Sequence, residues 1–65
     1  MFEIYDKKSG ESENIDFTDY HTIYNYLLNH FNIDEETAED IDEWAQYSTV
    51  DEKRETENFI ITCKR

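Results

Sequence analysis

The feature that most constrains this chain is a change in the spacing of its apolar residues. The opening segment FEIY places Phe2 and Ile4 on one side and polar positions on the other, the period-2 pattern of a half-buried strand. The closing segment FIITC, residues 59–63, alternates in the same way and is rich in β-branched residues. Both ends of the chain are therefore predicted to be β-strands.

Between these segments the apolar spacing changes to three and four residues. The positions that follow this spacing are Phe17, Tyr20, Ile23, Tyr24, Leu27, Leu28 and Phe31. At about 100° per residue they lie on one stripe, which predicts a helix over residues 18–31.

A second apolar stripe follows almost at once. Asp34 is a suitable N-cap, and Ala38, Ile41, Trp44 and Ala45 continue the stripe to about residue 47. Because two or three residues join the two helices, they are predicted to pack antiparallel.

Two other segments leave alternatives open. Gly10 can adopt a positive φ and turn the chain, after which ESENID, with one apolar residue in six, could return as a second strand. Residues 48–58 fit two structures: a short helix opened by a capping box of Thr49 and Glu52, or a strand YSTV turning at DEKR.

The length and cysteine content limit the architecture. A chain of 65 residues is expected to form one small domain, and a single cysteine, Cys63, excludes an internal disulfide. The predicted fold class is α+β: a small antiparallel sheet of two or three strands, including both terminal strands, packed on one face by an antiparallel helical hairpin.

The same features suggest a cellular setting. The lone thiol fits a reducing compartment, the N-terminus lacks the positive region of a signal peptide, and no apolar run approaches the roughly 20 residues of a membrane span. We therefore expect a soluble protein in the cytoplasm of a bacterial or host cell, with no membrane partner.

The net charge restricts the partners further. The chain has 17 acidic and 6 basic residues, a formal charge of -11. That exceeds the magnitude of about 2 to 8 that solubility needs, and it disfavours direct binding to nucleic acid. Disordered acidic chains are poor in aromatic residues, whereas this chain is 15% aromatic and is expected to fold.

The negative charge is concentrated in the segment DEETAEDIDE, residues 34–43, which holds seven carboxylates in ten positions and no lysine or arginine. A helix there would present a mainly acidic face. Its predicted members are Glu35, Glu36, Glu39, Asp40, Asp42 and Glu43. Three like-charge i,i+4 pairs on this face cost on the order of 1 kcal/mol at low salt. The face is either a solvated surface or one that meets a positive partner.

The functional hypothesis is a nucleic-acid mimic. Carboxylates on neighbouring turns lie about 5–6 Å apart, similar to phosphates, and Tyr26 and Tyr47 could add aromatic contacts. The predicted function is a non-enzymatic inhibitor of a basic DNA- or RNA-binding protein, by analogy with anti-restriction or anti-CRISPR proteins of phages and mobile elements. The alternative is a structural or regulatory accessory protein that binds through an aromatic or apolar surface.

The residues give little support for metal binding or catalysis. The acidic segment lacks the glycine and irregular backbone of an EF-hand loop, and His21 and His30 lie on opposite sides of one predicted helix. No nucleophile motif is present. We therefore expect no catalytic residues, metal or cofactor, and a monomer or a homodimer formed through an exposed first strand.

Overall fold

The computed structural model describes residues 1–16 and 22–64. The elements follow in the order β1 (Phe2–Asp6), β2 (Ser12–Ile15), α1 (Thr22–His30), α2 (Glu35–Tyr47), β3 (Lys53–Glu55) and β4 (Phe59–Cys63). The predicted α+β class is confirmed, with four antiparallel strands rather than two or three. Chain contacts form two compact units, a sheet unit (Met1–Asp16 with Ser48–Arg65) and a helical unit (Phe17–Tyr47). The single domain stays a prediction.

The two terminal strands form the centre of the sheet, so the first strand has no exposed edge, contrary to the sequence-based expectation that it could pair between copies. The strand order is β2-β1-β4-β3, and β1 pairs with β4 from Phe2 opposite Cys63 to Asp6 opposite Phe59. Alternation buries one side of both strands, as the sequence predicts. The buried side chains are Phe2, Ile4, Phe59, Ile61 and Cys63.

The second strand, which the sequence left open, is present as β2. The turn before it closes on Asp6, whose side chain accepts a hydrogen bond from the Lys8 N–H (2.8 Å) and whose carbonyl accepts one from the Gly10 N–H (2.8 Å). Gly10 has the expected positive φ, 78°. Backbone pairing with β1, rather than apolar burial, therefore holds this polar segment in the sheet.

Residues 48–58 follow neither of the two predicted structures. The Glu52 side chain does accept a hydrogen bond from the Thr49 N–H (2.6 Å), but the Glu52 N–H bonds the Thr49 carbonyl (3.1 Å) and closes a turn. Asp51 has a φ of 75°, which a helix does not allow. The strand in this region is Lys53–Glu55, not YSTV, and it pairs with β4.

The helices agree with the predicted stripes. In α1 the buried residues are Ile23 and Leu27; the helix ends at His30, one residue before the predicted end, and the predicted residues 18–21 lie outside the described residues. In α2 the deepest side chains are Ala38 and Ile41. Of the helices described, none is both long enough and apolar enough to cross a membrane.

Candidate acidic interaction surface

The acidic helix α2 begins at Glu35 because Asp34 caps it. The Asp34 carboxylate accepts hydrogen bonds from the Thr37 hydroxyl (2.5 Å) and the Thr37 N–H (3.4 Å), and its carbonyl accepts one from the Ala38 N–H (3.1 Å). The bond from Thr37 lowers the pKa of the Asp34 carboxyl. The cap satisfies backbone donors that the first turn otherwise leaves unpaired.

Five carboxylates of α2 are exposed, and we call them the acidic helix face. Its members are Glu35, Glu36, Glu39, Asp40 and Glu43. At about 100° per residue they span an arc of about 140° around the helix. Glu35 and Glu36 also lie in the first turn, where the helix dipole favours negative charge.

A single row runs along the middle of this face. Glu36, Asp40, Glu43 and Tyr47 are separated by four, three and four residues, so they stack on successive turns. With a rise of about 1.5 Å per residue, the row is about 16 Å long. Tyr47 ends it, and this side chain is 79% exposed.

Asp42 does not belong to this surface, contrary to the sequence-based expectation that it is exposed. The residue is 7% exposed and lies among the buried positions of α2. Position 42 follows Ala38 by four residues and precedes Ala45 by three, so it falls inside the apolar stripe. Helical spacing alone places Asp42 in the apolar stripe. The acidic residue type led to the wrong prediction that it is exposed.

Tyr24 makes a contact with α2 that the sequence pattern does not predict. The sequence pattern places it in the apolar stripe of α1, but its hydroxyl donates a hydrogen bond to Glu35 Oε1 (3.1 Å) on α2. Desolvation, this hydrogen bond, and the charges of Glu35 and Glu39 raise the pKa of Tyr24. The hydroxyl therefore stays protonated at neutral pH, and it fixes the first carboxylate of the acidic helix face against α1.

Tyr26 has a different environment from Tyr47. Its ring is half-buried and stacks on His30, with centroids 4.1 Å apart and planes 30° apart. The stack engages the ring within α1, whereas Tyr47 remains open to solvent. Tyr47 is therefore the better placed of the two predicted aromatic contacts, because it continues the carboxylate row.

The basic residues of the chain lie in the sheet unit. Lys7 Nζ pairs with Glu55 Oε2 (2.5 Å) and lowers the pKa of that carboxyl, and Lys64 Nζ lies 3.9 Å from Glu3 Oε1. The helical unit, by contrast, has eight acidic residues and no lysine or arginine in its sequence. The acidic helix face thus belongs to a unit of one charge sign.

This arrangement suits electrostatic contact with a partner. Within residues 1–16 and 22–64, no three His, Cys, Asp or Glu side chains form a group that could hold a metal ion. His30 is exposed, Cys63 is a buried free thiol, and His21 lies outside the described residues. The acidic helix face offers hydrogen-bond acceptors on a convex helix rather than a concave reaction site.

Comparisons with known proteins identify no relative. No protein-family model, curated protein or solved structure gives a significant match to the chain. Function is therefore inferred from the geometry and charge of the acidic helix face.

Proposed function

We propose that this protein is a small non-enzymatic inhibitor that binds a nucleic-acid-binding protein by presenting the acidic helix face in place of phosphates. The observation that carries the proposal is the set of five exposed carboxylates on α2, in a unit whose sequence contains no lysine or arginine. A site built from Lys and Arg for phosphates offers donors that carboxylates can accept equally well.

The spacing of the carboxylates supports this choice of partner. Side chains three or four residues apart on a helix have Cβ atoms about 5–6 Å apart, close to the separation of phosphates along one strand. The row from Glu36 through Asp40 to Glu43 therefore presents charges at a repeat that a phosphate-binding groove is built to receive. A partner that binds it is blocked by occupancy, without a chemical step.

Tyr47 supports the same proposal from the end of the row. Its side chain is 79% exposed, and it follows Glu43 by one helical turn. Nucleic-acid sites often place aromatic side chains beside their phosphate contacts to stack on bases. Tyr47 can stack on such a partner side chain in place of a base. Tyrosine is also enriched among the residues that dominate interface energies.

The charge pattern itself also favours an interface over a solvated surface. Glu35 with Glu39, Glu36 with Asp40, and Glu39 with Glu43 form like-charge i,i+4 pairs. Each such pair destabilises a helix by about 0.2–0.5 kcal/mol at low salt. A surface that serves only solubility can mix charge signs and avoid this repulsion, as the sheet unit does. A positive partner relieves the repulsion when it binds.

The biological setting is part of the proposal. A small acidic protein that blocks a DNA- or RNA-binding enzyme in the cytoplasm matches the role of the counter-defence proteins that phages and mobile elements use against restriction or CRISPR systems. This assignment is an analogy from size and charge.

A capture experiment tests the proposal. The tagged protein is incubated with a bacterial lysate, and retained proteins are eluted with DNA from one sample and with high salt from a second sample before identification by mass spectrometry. We expect a nuclease, polymerase, repair protein or CRISPR protein in the DNA eluate, because DNA competes for the same groove. Salt should release the same protein, because a screening length of about 3 Å at 1 M salt weakens exposed charge contacts.

A matched pair of variants provides the control. The helix-neutralised variant carries Glu36→Gln, Glu39→Gln, Asp40→Asn and Glu43→Gln. The sheet-neutralised variant carries Asp51→Asn, Glu52→Gln, Glu55→Gln and Glu57→Gln, all at exposed positions outside β2. Both remove four negative charges, so only loss of capture by the first variant alone supports the proposal. Equal capture by both, resistant to DNA and salt, would instead indicate an accessory protein with an aromatic or apolar contact surface.

A further inference from the structure

The outer edge of β2 is a second surface with a defined chemistry. β2 is the end strand of the sheet, and among the described residues its only paired neighbour is β1. Ser12, Glu13 and Asn14 are all exposed, and Ile15 is half-buried. An end strand of this kind presents backbone donors and acceptors to which another strand can bind.

The register shows which backbone groups point outward. The Asp6 N–H donates to the Glu11 carbonyl (2.8 Å), and hydrogen-bonded pairs alternate with non-hydrogen-bonded pairs along an antiparallel ladder. Opposite β1, the pairs of Tyr5 with Ser12 and of Glu3 with Asn14 are therefore the non-hydrogen-bonded ones. The N–H and C=O groups of Ser12 and Asn14 consequently face away from the sheet.

The opposite edge of the sheet differs from β2. β3 has only three residues, and two of them, Lys53 and Arg54, are basic, which are features that discourage strand addition. β2 contains four residues and no lysine, arginine or proline, so it is the more accessible edge.

The charge along β2 selects the kind of strand that fits. Glu11 and Glu13 flank Ser12, and residues 9–16 contain no lysine or arginine. Asp16 follows the strand, but its Oδ1 lies 4.0 Å from the N-terminal ammonium, so Glu11 and Glu13 supply the negative charge of this edge. A second copy of β2 would bring these carboxylates close to their equivalents, which is unfavourable across a strand pair. An extended segment with lysine or arginine complements the edge in charge while its backbone completes the ladder.

We infer that β2 binds an extended, lysine- or arginine-bearing peptide segment of another protein by β-strand addition, with the backbone groups of Ser12 and Asn14 forming the new ladder. This contact lies in the sheet unit and does not depend on the acidic helix face. Main-chain hydrogen bonds provide its affinity, and the flanking acidic residues provide its preference for basic segments.

The inference is tested by NMR titration of the full-length protein with the peptide acetyl-Lys-Thr-Val-Lys-Val-Thr-Lys-amide. We expect shift changes and slowed hydrogen exchange at the Ser12 and Asn14 amides, with little change at Lys53 and Glu55. The same peptide N-methylated at its three central residues keeps its charge but loses ladder donors. It should bind at least about tenfold more weakly, because each lost hydrogen bond weakens the complex.

Two protein variants complete the test. Asn14→Pro removes an outward N–H at an edge position that tolerates proline, and it should weaken peptide binding about tenfold, whereas Asn14→Thr should not. The helix-neutralised variant should bind the peptide as the unchanged protein does. Equal binding of the N-methylated peptide, shift changes confined to α2, or dimers formed through β2 without peptide would each overturn the inference. The N-methylated peptide decides the question even if Asn14→Pro fails to fold.

Discussion

The sheet unit and the helical unit differ in how their charged residues are distributed. The sheet unit has nine acidic and six basic residues in its sequence, and ion pairs such as Lys7 with Glu55 and Lys64 with Glu3 join strands or their ends. The helical unit has eight acidic residues and no lysine or arginine, and five carboxylates lie exposed on α2. Solubility requires only the first arrangement, and the second is the basis of the proposed contact with a basic partner.

The largest expected effect concerns whether the two units unfold together. Ile41→Ala in α2 and Ile61→Ala in β4 truncate side chains that are 1% and 0% exposed. Each should lower the free energy of unfolding by about 2–5 kcal/mol, because it leaves a cavity in a packed interior. If the chain is one cooperative domain, each truncation accelerates amide hydrogen exchange equally in α2 and in β1 and β4. Faster exchange confined to the mutated unit contradicts the single domain.

A smaller effect is expected from the cap of the acidic helix. Asp34→Ala should lower the melting temperature at pH 7, though less than either core truncation, because Thr37 loses its hydrogen-bond acceptor. The pKa of Asp34 is lowered in the folded state, so its charge stabilises the protein above the unfolded pKa of about 4. That contribution disappears as the pH falls through the folded pKa.

Thermal melts between pH 2 and pH 7 check this dependence. The difference between the unchanged protein and Asp34→Ala should shrink toward pH 2, while Asp34→Asn should keep most of the cap at every pH because asparagine is also a good N-cap. A difference that is constant with pH would mean that the carboxylate charge plays no part in the cap.

The smallest expected effect is the gain in stability when the carboxylates of α2, rather than those of the sheet unit, are neutralised. The helix-neutralised variant should be more stable than the unchanged protein by a few tenths of a kcal/mol up to about 1 kcal/mol at low salt, because like-charge i,i+4 pairs are removed. The gain should vanish at about 1 M salt, where the screening length is about 3 Å. Chemical denaturation of this variant and of the sheet-neutralised variant measures the contrast. An equal gain in both variants would show that net charge alone, rather than its arrangement on α2, sets the repulsion.

The sequence predicts those parts of the fold in which apolar periodicity is strong. Phe2 with Ile4 and Phe59 with Ile61 reveal the central strands, and Ala38 with Ile41 reveals α2. The edge strands are harder to predict from the sequence because β2 and β3 have few apolar residues and depend on backbone pairing with their neighbours. The bond from the Thr49 N–H to the Glu52 carboxylate agrees with the predicted capping box, but the positive φ of Asp51 turns the chain out of a helix.

The acidic surface was likewise predicted only in part. Its five exposed carboxylates and Tyr47 follow from helical spacing. Asp42 was misplaced because its residue type was given more weight than its position in the apolar stripe. The bond from Tyr24 to Glu35 depends on how α1 and α2 meet, which periodicity within one helix does not describe. Whether the surface is functional stays a prediction until a partner is measured.

The most direct test of the central claim is the affinity of the captured partner, measured by calorimetry at several salt concentrations for three proteins. We predict that the unchanged and sheet-neutralised proteins bind with similar affinity and lose at least about tenfold between low and high salt, because exposed charges are screened. The helix-neutralised variant should bind about a hundredfold more weakly at low salt, since it lacks four of the opposed charges. Undiminished binding by the helix-neutralised variant, with little salt dependence, would contradict the account.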